Sequence, residues 1–174
     1  MSADAPAELS RMVDPRRIDA KPVTITASPD QAAALAERFG LIAVEHLSAE
    51  LALERDGNAT LATGMLDAAI VQSCAVSGDD LPVTIAEQLV LRFVPARSDY
   101  TEDEEIELTS EELDEIDYTG DRFDLGEAVA QSLALAIDPF ATGPDADRAR
   151  DEAGLNPEAA SGPLAEMLKG LKGD

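Results

Sequence analysis

The chain has 174 residues, 45% of them hydrophobic and 28% charged, which against about 100–200 residues per domain accommodates one domain with tails and leaves enough apolar material for a core. Thirteen Lys and Arg face 36 Asp and Glu, for a formal charge of −23, a field that repels nucleic-acid phosphates and anionic lipid and attracts basic proteins. The single cysteine excludes an internal disulfide or a multi-cysteine metal site, and 3% aromatics with no Trp argues against a base-stacking platform.

The N-terminal Met-Ser-Ala-Asp-Ala-Pro stretch has no basic region leading into an apolar run, and no segment reaches the roughly 18 apolar residues of a membrane span. A cytoplasmic protein is expected. Pro22-Val23-Thr24-Ile25-Thr26 is β-branched and predicts a first strand. Ser28-Pro29-Asp30-Gln31 then offers an N-cap, a proline at the first helical position and a glutamine three residues after the serine, so a helix is expected to start there. Ala32, Leu35, Ala36 and Phe39 share one face of it, and Gly40 supplies its left-handed stop.

From Glu45 the period changes to two, with Leu47, Ala49, Leu51 and Leu53 on one side and His46, Ser48, Glu50 and Glu54 on the other. Asp56-Gly57-Asn58 is a hairpin signal, after which Leu66, Ala68, Ile70 and Cys74 point inward from a second long strand. Ser77-Gly78-Asp79-Asp80 makes the next turn, and Val83, Ile85, Leu89, Leu91 and Phe93 form the apolar set of a third strand. Three strands with short links predict an antiparallel meander.

Nearly half of the net charge sits in residues 99–117, which hold eleven acids and no base. Self-repulsion predicts an extended, solvated insertion there. Asp124-Leu125-Gly126-Glu127 opens a second helix, with Asp124 as cap and Leu125, Ala128, Val129, Leu133, Ala136 and Ile137 as its apolar positions, ended by Asp138-Pro139. Residues 141–162, rich in Gly, Pro, Ala and Asp, predict a mobile link, and the tail carries Leu164, Met167, Leu168 and Leu171 at amphipathic spacing. The expected architecture is α+β. An antiparallel meander packs with two main helices in one domain over residues 1–140, followed by a flexible link and tail over 141–174. Whether the sheet curves into a barrel stays open.

Little in this inventory does chemistry. Cys74 and His46 are the only thiol and the only imidazole, and opposite strand faces point them apart. The acidic block has no glycine and no D-x-D-x-D-G pattern, so a solvated arm or a docking arm is expected there, not a calcium loop. No phosphate-cradling loop, nucleophile elbow or H-E-x-x-H occurs. No enzyme, no cofactor and no metal are expected. Arg11, Arg16, Arg17 and Lys21 cluster near the N-terminus, and Arg92 and Arg97 border the end of the third strand, where they balance nearby acids.

The order of these pieces is familiar. Leu9-Ser10-Arg11, then Val71-Gln72-Ser73-Cys74 leading into a turn and the strand over 81–95, then the acidic insert, Phe123-Asp124-Leu125-Gly126-Glu127, Leu133-Ala134-Leu135-Ala136-Ile137-Asp138-Pro139 and the terminal Pro163-Leu164-Ala165-Glu166-Met167-Leu168-Lys169 resemble the YceD family of large ribosomal RNA subunit accumulation proteins. The resemblance implies a non-catalytic role in 23S ribosomal RNA accumulation or processing and in large-subunit assembly. Many members carry a Cys-x-x-Cys pair at the turn and further Cys or His residues near the C-terminal helix, which implies a metal site in them. Here Cys74 matches the first cysteine, Ser77 stands at the second, and residues 138–162 contain no Cys or His.

A charge of −23 sits badly on bare RNA and well on a basic ribosomal protein or assembly factor. The expected partner is therefore such a protein, with pre-23S RNA reached indirectly and neither DNA nor membrane involved. Glu102, Asp103, Glu104, Glu105 and Glu107 of the arm are the first candidate contacts, with Arg92, Arg97 and Cys74 beside them. The competing reading is direct RNA binding through Arg11, Arg16, Arg17, Arg92 and Arg97.

Overall fold

The computed structural model describes residues 8–96 and 115–155. In chain order these form β1 (Met12–Val13), a 3-10 turn (Pro15–Arg17), β2 (Val23–Thr26), α1 (Pro29–Phe39), β3 (Ala43–Asp56), β4 (Ala59–Ser73), β5 (Asp80–Pro95), β6 (Glu115–Tyr118), β7 (Phe123–Asp124), α2 (Leu125–Ala136) and α3 (Ala146–Glu152). The architecture is α+β. One sheet runs β2-β3-β4-β5-β6, antiparallel except for the parallel β5–β6 pair, and β1 pairs with β7 separately. The larger sheet is open, not a barrel.

The long strands form where the alternation predicts them. β3 and β4 meet in a two-residue hairpin between Asp56 and Ala59, where Gly57 takes φ +63°, a backbone a primed turn needs and a Cβ resists. A bulge between Val44 and His46 adds one residue to β3. It resets the parity, so that Val44 and Leu47 are both buried although three positions apart.

α1 carries the full capping box. The Gln31 N–H donates to Ser28 Oγ (3.3 Å), and the Ser28 N–H donates to Gln31 Oε1 (2.9 Å). Gly40 ends the helix at φ +65°. Leu35 from this helix and Leu125, Val129 and Leu133 from α2 pack on the inward side of the sheet against Leu47, Leu51, Leu66, Ile70 and Phe93. Phe93 stacks on Phe123 with ring centroids 4.1 Å apart.

Two segments differ from their sequence pattern. The solvated loop expected over 99–117 ends in strand β6, because Ile116 and Tyr118 pack on the core and Glu115 pairs with Arg92. Residues 99–114 themselves lie outside the described residues. The stretch 141–162, expected as a link, carries α3, whose Ala146 is buried. The amphipathic tail lies outside the described residues. No helix among the described residues is long and apolar enough to cross a membrane.

Candidate functional site

Two motifs separated by more than a hundred residues meet at the start of α2. Asp124 caps that helix by accepting from the Gly126 N–H (3.0 Å) and the Glu127 N–H (3.2 Å). The same carboxylate accepts from the Arg11 N–H (2.7 Å) and from Ser10 Oγ–H (2.6 Å). The Leu125 N–H returns a bond to the Arg11 carbonyl (3.0 Å). A Cβ on Gly126 would stand 2.5 Å from the Leu9 carbonyl oxygen, so glycine is what lets the N-terminal segment lie directly on the helix. Arg38 locks the junction from the side, donating to both Glu127 oxygens (2.7 and 2.9 Å) and to Glu8 (2.8 Å). The Arg38 guanidinium holds the Glu127 carboxyl below the usual range. Leu9-Ser10-Arg11 and Phe123-Asp124-Leu125-Gly126-Glu127 thus act on each other, and their role is to tie the chain together.

Cys74 sits at the other end of the sheet and is 4% exposed. Its Sγ accepts from the Gly143 N–H (3.2 Å) and the Ser77 N–H (3.4 Å). These donors favour the thiolate: the Gly143 N–H most, then the Ser77 hydroxyl and N–H and the Val76 N–H, bringing the thiol from 9.0 down to about 6. Two further bonds stitch the same segments, from Ala75 N–H to the Ala141 carbonyl (2.9 Å) and from Gln72 Nε2–H to the Asp138 carbonyl (2.8 Å). His46 is exposed on the other face of the sheet, its Nε2 3.0 Å from Ser48 Oγ. The two are not brought together.

The metal site that the resemblance implies for other members does not fit these residues. Cys74 is a lone soft donor, Ser77 replaces the second thiol, and two backbone N–H groups already satisfy the sulfur. Among the described residues, no three or more His, Cys, Asp or Glu side chains are grouped to hold an ion. A groove of about 610 Å³ between α1 and β3 is lined mainly by alanines and aliphatics, with His46 at its rim and no nucleophile beside it.

Two of the candidate cations, Arg16 and Arg92, are committed to ion pairs. Arg92 binds Asp56 and, at 2.9 Å, Glu115. Arg16 binds Asp14 (2.9 Å) and Asp121 (3.1 Å), and holds the Asp14 carboxyl down from 3.8 to about 2. Arg11 and Arg17 are exposed. Arg97 and the arm residues Glu102, Asp103, Glu104, Glu105 and Glu107 lie outside the described residues.

Sequence reasoning identified Asp124 only as a cap. Its second set of donors, 113 and 114 residues away, leaves no local trace.

No curated protein and no solved structure is matched by the chain. The family model described as "Large ribosomal RNA subunit accumulation protein YceD" matches residues 62–167. That span covers more than half of the chain and takes in most of β4, the Cys74 turn, all of β5, β6, β7, α2 and α3. It includes Asp124 and Gly126, whose contacts reach back to residues 9–11 outside it, and Glu127, which binds Arg38. On that match, the chain belongs to the YceD family.

Proposed function

We propose that the protein is a non-catalytic factor in large-ribosomal-subunit assembly that supports 23S ribosomal RNA accumulation by holding a basic ribosomal protein or assembly factor. The observation that carries this reading is the excess of acids over bases. In a chain with 36 acids and 13 bases, Arg16 and Arg92 are each clasped by two carboxylates. A group held in this way must break two ion pairs before it can neutralise a phosphate, and the surrounding field opposes the approach of RNA. The same field draws in a polycation. The family supports the ribosomal setting, and the sparse inventory of nucleophiles and bases supports a binding role.

The test compares two interactions of the purified protein. Proteins extracted from large ribosomal subunits are expected to bind at moderate salt, and a 23S fragment is expected to bind weakly, with no loss on changing Arg11, Arg16, Arg17, Arg92 and Arg97 to Ala. RNA capture that falls steeply with salt and disappears in the arginine variants would establish direct RNA binding instead. Changing the arm acids to Ser and Asn then reports what the arm contributes.

A further inference from the structure

An antiparallel sheet with one covered face ordinarily turns polar side chains to water on the other. This one does not. Opposite the helices, the register aligns Glu50 with Met65 and Gln88, and Ala52 with Thr63 and Val90. Met65 is 45% and Val90 64% exposed at the middle of the two longest strands. Carboxylates flank this apolar centre, with Glu50 directly beside Met65, Asp67 two residues along β4, and Glu54 two residues beyond Ala52. Arg92, on the same face, is neutralised by Asp56 and Glu115.

We propose that this outward face of β3, β4 and β5 is a docking surface for a basic, partly apolar polypeptide segment, whose aliphatic side chains cover Met65 and Val90 while its Lys or Arg residues meet Glu50, Glu54 and Asp67. Charge decides among the occupants. A second copy would set these carboxylates against their own kind, and residues 99–114, with nine acids and no base, would do the same. A cationic partner gains from every one of them, and the apolar centre gives it area to bury. The proposal rests on the basic-partner reading above and assigns that partner to the sheet in preference to the arm.

The full chain, labelled at its methionine methyls, is titrated with the basic proteins extracted from large ribosomal subunits. The Met65 methyl is expected to shift while that of Met12, also exposed, stays in place. Met65→Lys with Val90→Lys is expected to weaken binding about tenfold or more. Both side chains face water, and a thermal melt checks the fold; should that pair unfold, Glu50→Gln with Asp67→Asn supplies the same comparison and is expected to weaken binding and steepen its loss with salt. Full binding by these variants, with loss only on neutralising the arm, overturns the surface and leaves the basic-partner reading standing. No binding by any form overturns both. A wild-type dimer in sedimentation that the double lysine variant makes monomeric assigns the face to a second copy. A Met65 shift on deleting residues 156–174 without ligand assigns it to the chain's own tail. Either result also overturns the proposal.

Discussion

Asp124 receives four hydrogen bonds, three from backbone N–H groups and one from a hydroxyl. A carboxylate that caps a helix is worth about 1 kcal/mol through the cap alone, and bonds to a charged acceptor add about 1.5–3 kcal/mol where their loss strands the donors. Asp124→Ala is therefore expected to cost about 2–4 kcal/mol in denaturant unfolding, while Asp124→Asn, which keeps the acceptor geometry, costs less. Equal losses in the two variants would show that charge, not geometry, holds the junction. Cys74 gives a second test at this scale, in pH. Its thiol ionises near 6 in the fold against 9.0 ordinarily, so between these values the folded chain holds fewer protons than the unfolded chain, and stability rises with pH across that window. Below pH 6 the contribution is gone. The difference in Tm between the wild type and Cys74→Ser should grow from pH 6 to pH 9; a difference that stays flat would mean the thiol is not ionised in the fold. Local signals such as the Ser28–Gln31 box and the Asp124 cap could be read from sequence because every partner lies within three residues. The bond from Gly143 to Cys74 spans 69 residues, and no spacing rule announces it.

Elements were legible in proportion to their length. β3, β4 and β5 run 14, 15 and 16 residues, enough repeats of a two-residue period to fix which face turns inward. β1 and β7 have two residues each, and β6 is Glu-Ile-Asp-Tyr, two of whose four side chains are acidic. None of these shows a period, and tertiary contact alone makes them strands. Gly64 shows what the pattern hides even in a long strand. A Cβ there would lie 1.8 Å from the Glu50 carbonyl oxygen and 3.0 Å from the Leu51 Cα, so the two backbones pass too closely for any side chain. Gly64→Ala should force β3 away from β4 and cost about 3 kcal/mol, at the upper end of overpacking, although alanine improves on glycine in intrinsic strand preference. Gly57→Asn, at a turn with nothing within 4 Å of a Cβ, should cost far less in the same melt. A Gly64→Ala protein as stable as wild type would show that the strands part without strain.

At the scale of the whole molecule, the charge that shapes the functional reading also acts on the fold. Acids outnumber bases by 23, so the folded chain concentrates like charges that the unfolded chain can spread apart, and self-repulsion lowers stability. Pairs such as Arg38–Glu127 and Arg16–Asp14 pull the other way, but they are partly or fully exposed, and exposed pairs contribute little. Salt screens both effects over about 10 Å at 0.1 M, and repulsion, summed over many acids, has more to lose. Raising NaCl from about 0.01 M to about 0.5 M, where the screening length drops severalfold, is therefore expected to raise the Tm of the free protein. A falling Tm would mean that the ion pairs outweigh the repulsion. A bound polycation relieves the same repulsion and stabilises only the folded form that binds it. The Tm gain from a saturating basic partner should thus be largest at low salt and shrink as salt rises, even as the free protein grows more stable. Those two opposing slopes, measured on one sample with and without partner, separate a fold neutralised by its ligand from one held mainly by its own ion pairs.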